Sequence, residues 1–451
     1  MTPRDGSGGT PQRVALGWVD EDHVAAPAAP GGEYAYRRVV PDLLAQRPRR
    51  RRGRRALIPL AAVVGVAAVY TASALLWPLP QPTVAPVPVA DVTAPATAVA
   101  WPAEGAAAVG VEGFAGTPAS SGDVAPMASV TKLVTVLMVL EREPLAPGEP
   151  GPAFDFTWDD SDEYWEFLGR DESALDVPAE GSLSLYQMLQ GVLIGSAGNY
   201  TERLARTYWP GEGEFAAAAS DWLARQGLTG IAVVEPTGID EANAGDAASL
   251  VALSRLAMAH PVVAEIVRMP WAELPGAGEF ENTNELLAAD PSIVGIKTGS
   301  LDWEFTLTAA KEFTVGAVRL LAYASVVAQP DSDERFSETA RLLDEVARET
   351  TAHGVAAGTR VGAVTTVWGA QSDLVTAADA AVVLWNGATV SPDVTLDLGD
   401  ARQKDAEVGT LSLAGPVDAA TTPVHLAADL TDPDAWWRLT HPLQLWGLAA
   451  R

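Results

Sequence analysis

The chain has 451 residues, of which 48% are hydrophobic and 20% charged, so it is long enough for two or three domains and apolar enough to fold. Its formal net charge of −28 argues against nucleic acid as a partner, and the absence of cysteine excludes disulfides, a thiol nucleophile and Cys-bound zinc. Ordinary surface or core histidines are favoured over a zinc site or a Ser-His-Asp triad, because no paired spacing occurs among His23, His260, His353, His425 and His441. We therefore expect no metal site.

Residues 1–55 are predicted to be a disordered basic tail, because they are rich in Gly, Ala and Pro and end in a cluster of Arg residues. Taken alone, that cluster fits a nucleic-acid patch or a solvated basic run. Residues 56–77 then carry no charge and are long enough to cross a hydrocarbon core of ~30 Å. By the positive-inside rule the tail is cytoplasmic and everything after Pro78 lies outside, which predicts an uncleaved, single-pass anchor in the cell membrane. Cleavage at Thr71-Ala72-Ser73-Ala74 is the alternative.

Residues 78–102 alternate Pro with Val, Ala and Thr, which predicts an extended Pro-rich linker. At ~3.1 Å per residue it would hold a folded domain tens of ångströms from the membrane. That domain is expected over residues 103–350. Short Val- and Thr-rich strands with Gly, Asn and Asp turns then predict a small β-sandwich over residues 351–451, whose Trp-rich end is core packing, an edge strand or an interaction surface.

The central domain is expected to begin with a strand, continue with helices and end with strands and a helix. Hydrophobic periodicity predicts helices over residues 183–193, 201–208, 221–227, 246–260, 261–269 and 337–350. The predicted strands are residues 106–113, 305–310 and 319–328, and residues 233–240 are predicted to form a strand and a turn. Residues 154–172 are acidic and aromatic; a solvated surface is favoured there over an acid/base pair or metal ligands, because the glycine spacing of a calcium loop is missing.

The stretch Met127-Ala128-Ser129-Val130-Thr131-Lys132 carries the clearest chemistry. A mostly apolar run, residues 133–140, follows and predicts a helix with Ser129 at its mouth. Residues three apart share a helical face, so the amine of Lys132 can reach the Ser129 hydroxyl. A serine hydroxyl is a poor nucleophile until a neighbouring base takes its proton. Because Ser-x-x-Lys is common by chance, only its context makes it a candidate site.

Two further motifs follow in order. Ser196-Ala197-Gly198-Asn199 stands at a predicted helix junction, where a simple N-cap is the alternative interpretation, and Lys297-Thr298-Gly299 precedes the last strands. Lysine is scarce in this chain, and the complete set is Lys132, Lys297, Lys311 and Lys404. Where Arg is the usual cation, a retained Lys suggests a need for a compact amine that can lose its proton. Two of the four lie in these motifs.

In this order, the three motifs resemble those of the D-alanyl-D-alanine carboxypeptidases, the low-molecular-mass penicillin-binding proteins. The resemblance covers about residues 100–350 and includes Glu235-Pro236-Thr237-Gly238 with Asn243, and Asn284-Glu285-Leu286-Leu287 before Gly295-Ile296. It implies an α/β domain like those of penicillin-binding proteins and β-lactamases, with an antiparallel sheet, an all-helical lobe and an active site between them. Many members carry a small β-rich domain afterwards, which is similar to residues 351–451.

The resemblance also implies catalytic roles. Ser129 would be the acylated nucleophile, Lys132 its base and Ser196 the relay of a proton to the leaving amine. Such a base needs its pKa lowered from about 10.4 towards 7–8, and the positive charge of Lys297 is expected to supply part of that. The backbone N–H groups of Ser129 and Ser300 would form the oxyanion hole.

For substrate binding, the resemblance implies that the terminal carboxylate is held around Lys297, Thr298, Gly299 and Ser300. The amide expected to hold the substrate backbone is Asn199, which stands one place later than in the family's usual Ser-x-Asn and leaves Gly198 in the Asn position. The run Leu301-Asp302-Trp303-Glu304 also departs from the family, and bulk at Trp303 is expected to reshape the mouth of the site.

The leading hypothesis is a membrane-anchored, serine-type D-Ala-D-Ala carboxypeptidase that acts on peptidoglycan stem peptides outside the cell. It would work through a Ser129 acyl-enzyme without metal or cofactor, and β-lactams would be covalent inhibitors. One alternative is a catalytically degenerate envelope protein that binds peptidoglycan or a partner. A β-lactamase fits less well, because an anchor and an added β-domain suit a cell-wall enzyme better.

Overall fold

A computed structural model describes residues 53–211 and 213–449. The predicted disordered tail lies outside the described residues, except for residues 53–55, which begin the first helix. This helix, α1 (Gly53–Leu76), contains a stretch of 19 residues, Ile58–Leu76, that is long and apolar enough to cross a membrane. It is the only such helix in the described part of the chain. The chain divides after Tyr70, and the unit formed by residues 71–451 carries the domains described next.

The remaining helices of the described residues are α2 (Thr131–Arg142), α3 (Trp158–Gly169), α4 (Leu185–Leu193), α5 (Gly198–Tyr208), α6 (Glu214–Gln226), α7 (Ala247–Ala259), α8 (Pro261–Ile266), α9 (Leu286–Ala289), α10 (Ser332–Glu349), α11 (Ala435–Thr440) and α12 (Pro442–Leu445). A 3₁₀ turn, Ala128–Val130, leads into α2. Helix α10 begins five residues before its predicted start, because the Asp331 carboxylate caps it by accepting from the Glu334 N–H at 2.7 Å.

The strands are β1 (Thr83–Pro86), β2 (Val92–Thr93), β3 (Ala106–Val111), β4 (Val124–Pro126), β5 (Ala153–Asp155), β6 (Ser182–Ser184), β7 (Ile231–Ala232), β8 (Ala244–Asp246), β9 (Trp271–Leu274), β10 (Gly278–Glu281), β11 (Ile293–Leu301), β12 (Glu304–Val315), β13 (Val318–Gln329), β14 (Thr351–Val355), β15 (Arg360–Thr365), β16 (Gln371–Thr376), β17 (Ala380–Leu384), β18 (Thr389–Val390), β19 (Asp393–Leu396), β20 (Glu407–Ala414) and β21 (Ala419–Leu426). Strands β12 and β13 form a hairpin closed at Gly316, which adopts φ +60°.

The main sheet is antiparallel, with strand order β11-β12-β13-β3, and helices cover both of its faces. Successive side chains of a strand point to opposite faces. In β3, Ala106 and Ala108 therefore join the core shared with α7 and the helical lobe, whereas Val109 and Val111 join the core under α10. The α/β fold with an antiparallel sheet and a helical lobe is confirmed.

Helix α2 is the central helix of the helical lobe. All of its residues from Thr131 to Leu140 are buried, and it contacts α4, α5, α6 and α7. Its apolar residues, among them Leu133 and Val136, are part of the largest buried cluster of the domain. A helix buried on every side is held firmly by packing, so the residues at its N-terminus have a fixed place relative to the sheet.

The acidic segment predicted to be a solvated surface forms β5 and helix α3. Thr157 and Asp160 form a capping box at the start of α3, because the N–H of Thr157 donates to the Asp160 carboxylate at 2.8 Å. Its carboxylates pair with α5 at the surface: Glu163 lies 3.1 Å from Arg206. No group of three or more His, Cys, Asp or Glu suited to a metal ion occurs in the part of the chain that the structure describes.

The β-rich end of the chain contains a six-stranded sheet in the order β1-β15-β16-β21-β20-β19. The two-stranded pairs β14-β17 and β18-β2 share a buried core with it. This region also touches the main domain, since Trp385 after β17 is buried and packs edge-on against Phe114, with ring centroids 6.3 Å apart.

The interpretation of residues 78–102 as a free linker is wrong. Strand β1 pairs with β15, with Thr83 opposite Thr365, and β2 pairs with β18, with Val92 opposite Val390. Val92 and Ala94 are buried in the core of the β-rich region. Alternating Pro is tolerated in an edge strand as well as in a tether, and local sequence does not distinguish the two, because the pairing partner lies about 280 residues further on.

Candidate active site

Ser129 lies in the 3₁₀ turn at the mouth of α2, where the sequence placed it, and Lys132 lies in the first turn of the helix. The Lys132 amine is 2.8 Å from the Ser129 hydroxyl and donates to the Thr237 carbonyl at 2.7 Å. Lys132 is only 2% exposed. The two oxygens fix the amine directly beside the hydroxyl, which is the geometry that removal of the serine proton requires.

Burial lowers the pKa of Lys132 from 10.5 to about 8, against the smaller, opposing effect of three carboxylates, of which Glu235 has the largest. Burial disfavours the charged ammonium, because the amine loses its hydration. It is therefore burial, rather than the Lys297 charge suggested by the sequence, that has the largest effect. A pKa of about 8 leaves part of the amine neutral near physiological pH, so it can accept a proton.

The carboxylate of Glu235 holds the turn that presents the Thr237 carbonyl to Lys132. It accepts hydrogen bonds from the N–H and the hydroxyl of Thr237, each at 2.7 Å, and from the N–H of Ile239 at 2.9 Å. The side-chain amide of Asn243 also donates to it. The conformation of this turn therefore depends on Glu235, which the sequence had indicated only through the family resemblance.

Strand β11 lies directly against the 3₁₀ turn. A Cβ atom at Gly299 would lie 2.7 Å from the Met127 carbonyl oxygen and 3.3 Å from the Ser129 nitrogen. Only a glycine allows this approach without displacing the backbone. It also places Ser300, the next residue of β11, beside the turn that carries Ser129.

Lys297 is buried, and its amine donates to the Thr298 carbonyl at 3.2 Å. Burial lowers the pKa of Lys297 well below its usual range, and the charges of Lys132 and Arg335 add to this effect. The Thr298 hydroxyl is 2.7 Å from that of Thr283. Lys297 and Lys132 are thus close enough for their charges to interact.

Arg335 of α10 is part of this site, and sequence reasoning missed it. Arg335 is 7% exposed, and its guanidinium donates to the Gly299 carbonyl and the Ser300 hydroxyl, both at 2.9 Å. It also lies over the rings of Phe305 and Phe336, at 5.3 and 4.7 Å from their centroids. No local signal distinguishes it from other Arg residues, because it is brought to β11 only by the packing of α10 on the sheet.

The second motif is arranged differently from the prediction. Ser196 is buried and adopts φ +57° in the turn between α4 and α5. Asn199 lies inside α5, where its amide donates to the Leu175 carbonyl at 2.7 Å and accepts from the Leu175 N–H at 3.2 Å. Both ends of this amide are occupied by the backbone of the neighbouring segment, so the assignment of Asn199 to substrate binding is wrong. The residue of this motif that faces the cleft is Gly198.

A cleft of about 520 Å³ opens above Ser129. Its lining residues are Ser129, Lys132, Arg170, Asp171, Glu172, Ser173, Gly198, Gly238, Ile239, Ser300, Leu301, Asp302, Trp303 and Phe305. Three of the predicted site residues, Ser129, Lys132 and Ser300, thus share one cavity, whereas Ser196, Lys297 and Thr298 are buried beside it. Trp303 lies at the mouth of this cleft and is 87% exposed, at the position where the sequence predicted a bulky side chain.

Together, the antiparallel sheet flanked by helices and the buried helix that carries Ser129 and Lys132 at its N-terminus have the fold of the penicillin-binding proteins. Penicillin-binding protein 5 from Haemophilus influenzae has this fold, with a TM-score of 0.50 and 16% identity over 74% of this chain and 100% of that chain. The Streptomyces K15 DD-transpeptidase is 20% identical over 55% of this chain and 98% of its own, with a TM-score of 0.48.

The profile of the D-alanyl-D-alanine carboxypeptidases matches residues 119–320. D-alanyl-D-alanine carboxypeptidase DacB2 of Mycobacterium tuberculosis is 33% identical over 144 residues, which is 31% of this chain and 47% of that protein. The chain thus spans about half the length of this curated relative. Over residues 119–320 the chain is therefore similar to the D-alanyl-D-alanine carboxypeptidases, the family that its motifs resemble.

Proposed function

We propose that this protein is a serine-type D-Ala-D-Ala carboxypeptidase that removes the terminal D-Ala of peptidoglycan stem peptides. The observation that carries the proposal is the contact of 2.8 Å between the Ser129 hydroxyl and a buried Lys132 amine whose pKa is lowered to about 8. This pair has the geometry and the basicity that nucleophilic attack by serine requires. The intact pair gives no support to the alternative of a degenerate binding protein.

In the proposed reaction, the neutral Lys132 amine takes the proton of the Ser129 hydroxyl, and the oxygen attacks the carbonyl of the penultimate D-Ala. The developing oxyanion accepts from the N–H groups of Ser129 and Ser300, each of which contributes about 10²–10³ in rate. The C–N bond then breaks, and the leaving D-Ala amine receives a proton through Lys132 and Ser196. Water hydrolyses the acyl-enzyme and regenerates the serine. No step needs a metal or a cofactor.

A carboxylate is the substrate group that suits this site best. Lys297 and Arg335 are buried close to one another, and each donates its hydrogen bonds to neutral oxygens. Their charges are therefore available to an anion, and a C-terminal carboxylate beside Lys297 and Thr298 would favour the protonated amine of Lys297. We assign Gly299 and Ser300 to the same carboxylate subsite, to which they contribute backbone groups.

We also propose that α1 anchors the enzyme in the cell membrane in a single pass, with the catalytic domain outside the cell. The support is the apolar stretch Ile58–Leu76 and the Arg cluster that precedes it in the sequence. Peptidoglycan stem peptides are the proposed substrate, and β-lactams, which mimic an acyl donor, are the proposed covalent inhibitors.

Labelling with a fluorescent penicillin, combined with a D-Ala release assay, tests the activity. Wild-type protein is expected to be labelled covalently and to release D-Ala, whereas Ser129→Ala should do neither. Ser337→Ala, an exposed serine of α10, is the matched control and should behave as wild type. Absence of label on the wild type would favour the degenerate binding protein, and rapid hydrolysis of the penicillin without D-Ala release would favour a β-lactamase.

Replacement of Gly198 by Asn, which restores the family's usual residue, is expected to lower D-Ala release rather than raise it. A Cβ at Gly198 would lie 2.9 Å from a ring carbon of Phe167 and 3.2 Å from the Ser173 carbonyl oxygen. Overpacking of this kind costs about 1–3 kcal/mol. Urea unfolding and the release assay measure both effects, with Gly169→Asn, which has open space around it, as the control. Increased D-Ala release by Gly198→Asn would contradict this prediction and would mean that the segment containing Phe167 and Ser173 moves to make room for the side chain.

A further inference from the structure

A second cavity, of about 650 Å³, lies between the β9–β10 hairpin and helix α9, and we call it the hairpin cavity. Its volume is within the range that is usual for small-molecule sites. The chain that lines it runs through Thr283, whose hydroxyl is 2.7 Å from that of Thr298, so the cavity is close to the third motif. It shares no lining residue with the cleft above Ser129. The hairpin cavity is therefore a neighbour of the candidate active site and not a part of it.

An exposed tryptophan borders the hairpin cavity. Trp271 of β9 is 53% exposed and stands opposite Glu281 of β10. Residues opposite each other in an antiparallel pair lie on the same face of the sheet, so the ring and the carboxylate border the cavity together. Leu287 of α9 adds apolar surface to the lining. The cavity thus offers a flat apolar ring with a hydrogen-bond acceptor beside it.

Three carboxylates line the hairpin cavity, those of Glu279, Glu281 and Glu285. All three side chains are exposed, and none forms an ion pair or a side-chain hydrogen bond with another residue that the structure describes. They do not converge as metal ligands do, since the described residues contain no group of three or more His, Cys, Asp or Glu suited to a metal ion. An ionised carboxylate only accepts hydrogen bonds, and those that it accepts are about twice as strong as bonds between neutral groups. These side chains therefore suit a ligand with several hydroxyl donors.

A buried amide requires a different group from the same ligand. Asn284 lines the hairpin cavity and is 1% exposed. Its side-chain oxygen accepts from the Leu286 N–H at 3.3 Å, whereas its side-chain nitrogen has no hydrogen-bond partner among the described residues. A buried donor that is left unpaired costs about 1–3 kcal/mol. A ligand with an acceptor oxygen, such as an amide carbonyl, would remove this cost.

An N-acetylated hexosamine combines all of these groups. The C–H face of its ring suits the ring of Trp271, its hydroxyls can donate to the three carboxylates, and its acetamido carbonyl can accept from the Asn284 nitrogen. An organic cation such as a polyamine would match the carboxylates and the tryptophan but would offer Asn284 no acceptor. An anion would be repelled by the carboxylates. The lining of the cavity therefore favours a neutral sugar over either charged ligand.

We propose that the hairpin cavity binds an N-acetylated hexosamine of a glycan strand. Peptidoglycan is a polymer of such sugars, so a strand held there would keep the protein beside the stem peptides that enter the cleft above Ser129. The inference does not rest on the proposed carboxypeptidase activity, because none of the residues that would hold the sugar takes part in the proposed reaction.

Calorimetric titration of the full-length protein in phosphatidylcholine/phosphatidylglycerol nanodiscs tests the inference, with tetra-N-acetylchitotetraose as the probe. Cellotetraose, which lacks the acetamido groups, and spermidine, which is a cation, are the comparison ligands. Trp271→Ala removes the ring, and Glu281→Gln removes a charge while keeping the shape of the side chain. Trp165→Ala in α3, where the tryptophan is 64% exposed, is the matched control. Urea unfolding shows that each variant is folded, and acylation with penicillin before the titration closes the cleft above Ser129.

The N-acetylated tetramer is expected to bind the wild type and Trp165→Ala equally, and to bind Trp271→Ala about tenfold more weakly, the usual effect of a lost aromatic contact. Glu281→Gln should bind it several-fold more weakly. Cellotetraose should bind the wild type about tenfold more weakly than the N-acetylated tetramer, because it leaves the Asn284 nitrogen unpaired.

No binding of the N-acetylated tetramer, or equal affinity for the wild type and Trp271→Ala, would overturn the inference. Tighter binding of spermidine than of the tetramer would assign the hairpin cavity to a cation and would overturn it as well. Penicillin-treated protein should bind the tetramer as before, whereas loss of binding after acylation would place the sugar in the cleft and contradict the proposal. If penicillin does not acylate the protein and the tetramer still binds, the proposed carboxypeptidase activity fails while the inference holds.

Discussion

Replacement of Lys132 by Met is expected to slow the acylation of Ser129 by about 10²–10⁴-fold, the usual contribution of a positioned acid or base. Met occupies a similar volume but offers no amine, so the Ser129 hydroxyl loses the group 2.8 Å away that takes its proton. The rate of covalent labelling by a fluorescent penicillin under single-turnover conditions measures the effect. Lys404→Met, an exposed lysine of the β-rich region, is the matched control and should label at the wild-type rate.

The pH dependence of acylation identifies the same group. The pKa of Lys132 is lowered to about 8, and only the neutral amine accepts a proton, so the rate in the wild type should rise with pH through about 8 and level off above it. Below that value most of the amine is ammonium and acylation slows tenfold per pH unit. Lys132→Met should lose this rise. A wild-type profile without an inflection near this pH would contradict the assignment of Lys132 as the base.

Replacement of Gly238 by Ala is expected to reduce acylation by about 10²-fold or more and to lower the free energy of unfolding by about 3 kcal/mol. Gly238 adopts φ +90°, and a Cβ there would lie 1.9 Å from the Ala128 carbonyl oxygen. The clash is with backbone, so either the Glu235 turn or the turn that carries Ser129 must move. Either movement changes the contact between Ser129 and Lys132.

Gly227→Ala is the control for this prediction. Gly227 ends α6 with φ +72°, but no atom lies within 4 Å of the place that its Cβ would take, so its replacement costs only the left-handed backbone conformation, about 1–2 kcal/mol. It should acylate at the wild-type rate. Penicillin labelling and urea unfolding of the two variants give the comparison, and equal effects would mean that the contact with Ala128 does not constrain the active site.

The serine–lysine pair was predictable because it is local. Ser129 and Lys132 are three residues apart at the start of a helix, and that spacing alone brings their side chains together. The fold class was predictable from the order of the motifs, through the family that they resemble. Helix ends were less so: the start of α10 depends on the Asp331 cap, and α6 begins at Glu214, seven residues before its predicted start.

The role of Asn199 was not predictable, because one residue changes the direction of a helical side chain by about 100°. Helix α5 begins at Gly198, so Ser196 stays outside the helix while Asn199 is turned towards Leu175. The sequence predicted neither the residue at which α5 begins nor the packing of Phe167 and Ser173 beside Gly198. The departure from the family's motif therefore reflects a different contact between the start of α5 and the segment that contains Phe167 and Ser173.

By itself, the sequence determined the reactive pair, the order of the three motifs and the one apolar span, because each depends on neighbouring residues or on composition. Only the tertiary structure decided which partners complete the site and where the Pro-rich segment lies. Arg335 reaches Gly299 across 36 residues, and β1 pairs with β15 across about 280. Such contacts form through the packing of helices and strands that are far apart in the chain, so local sequence patterns do not predict them.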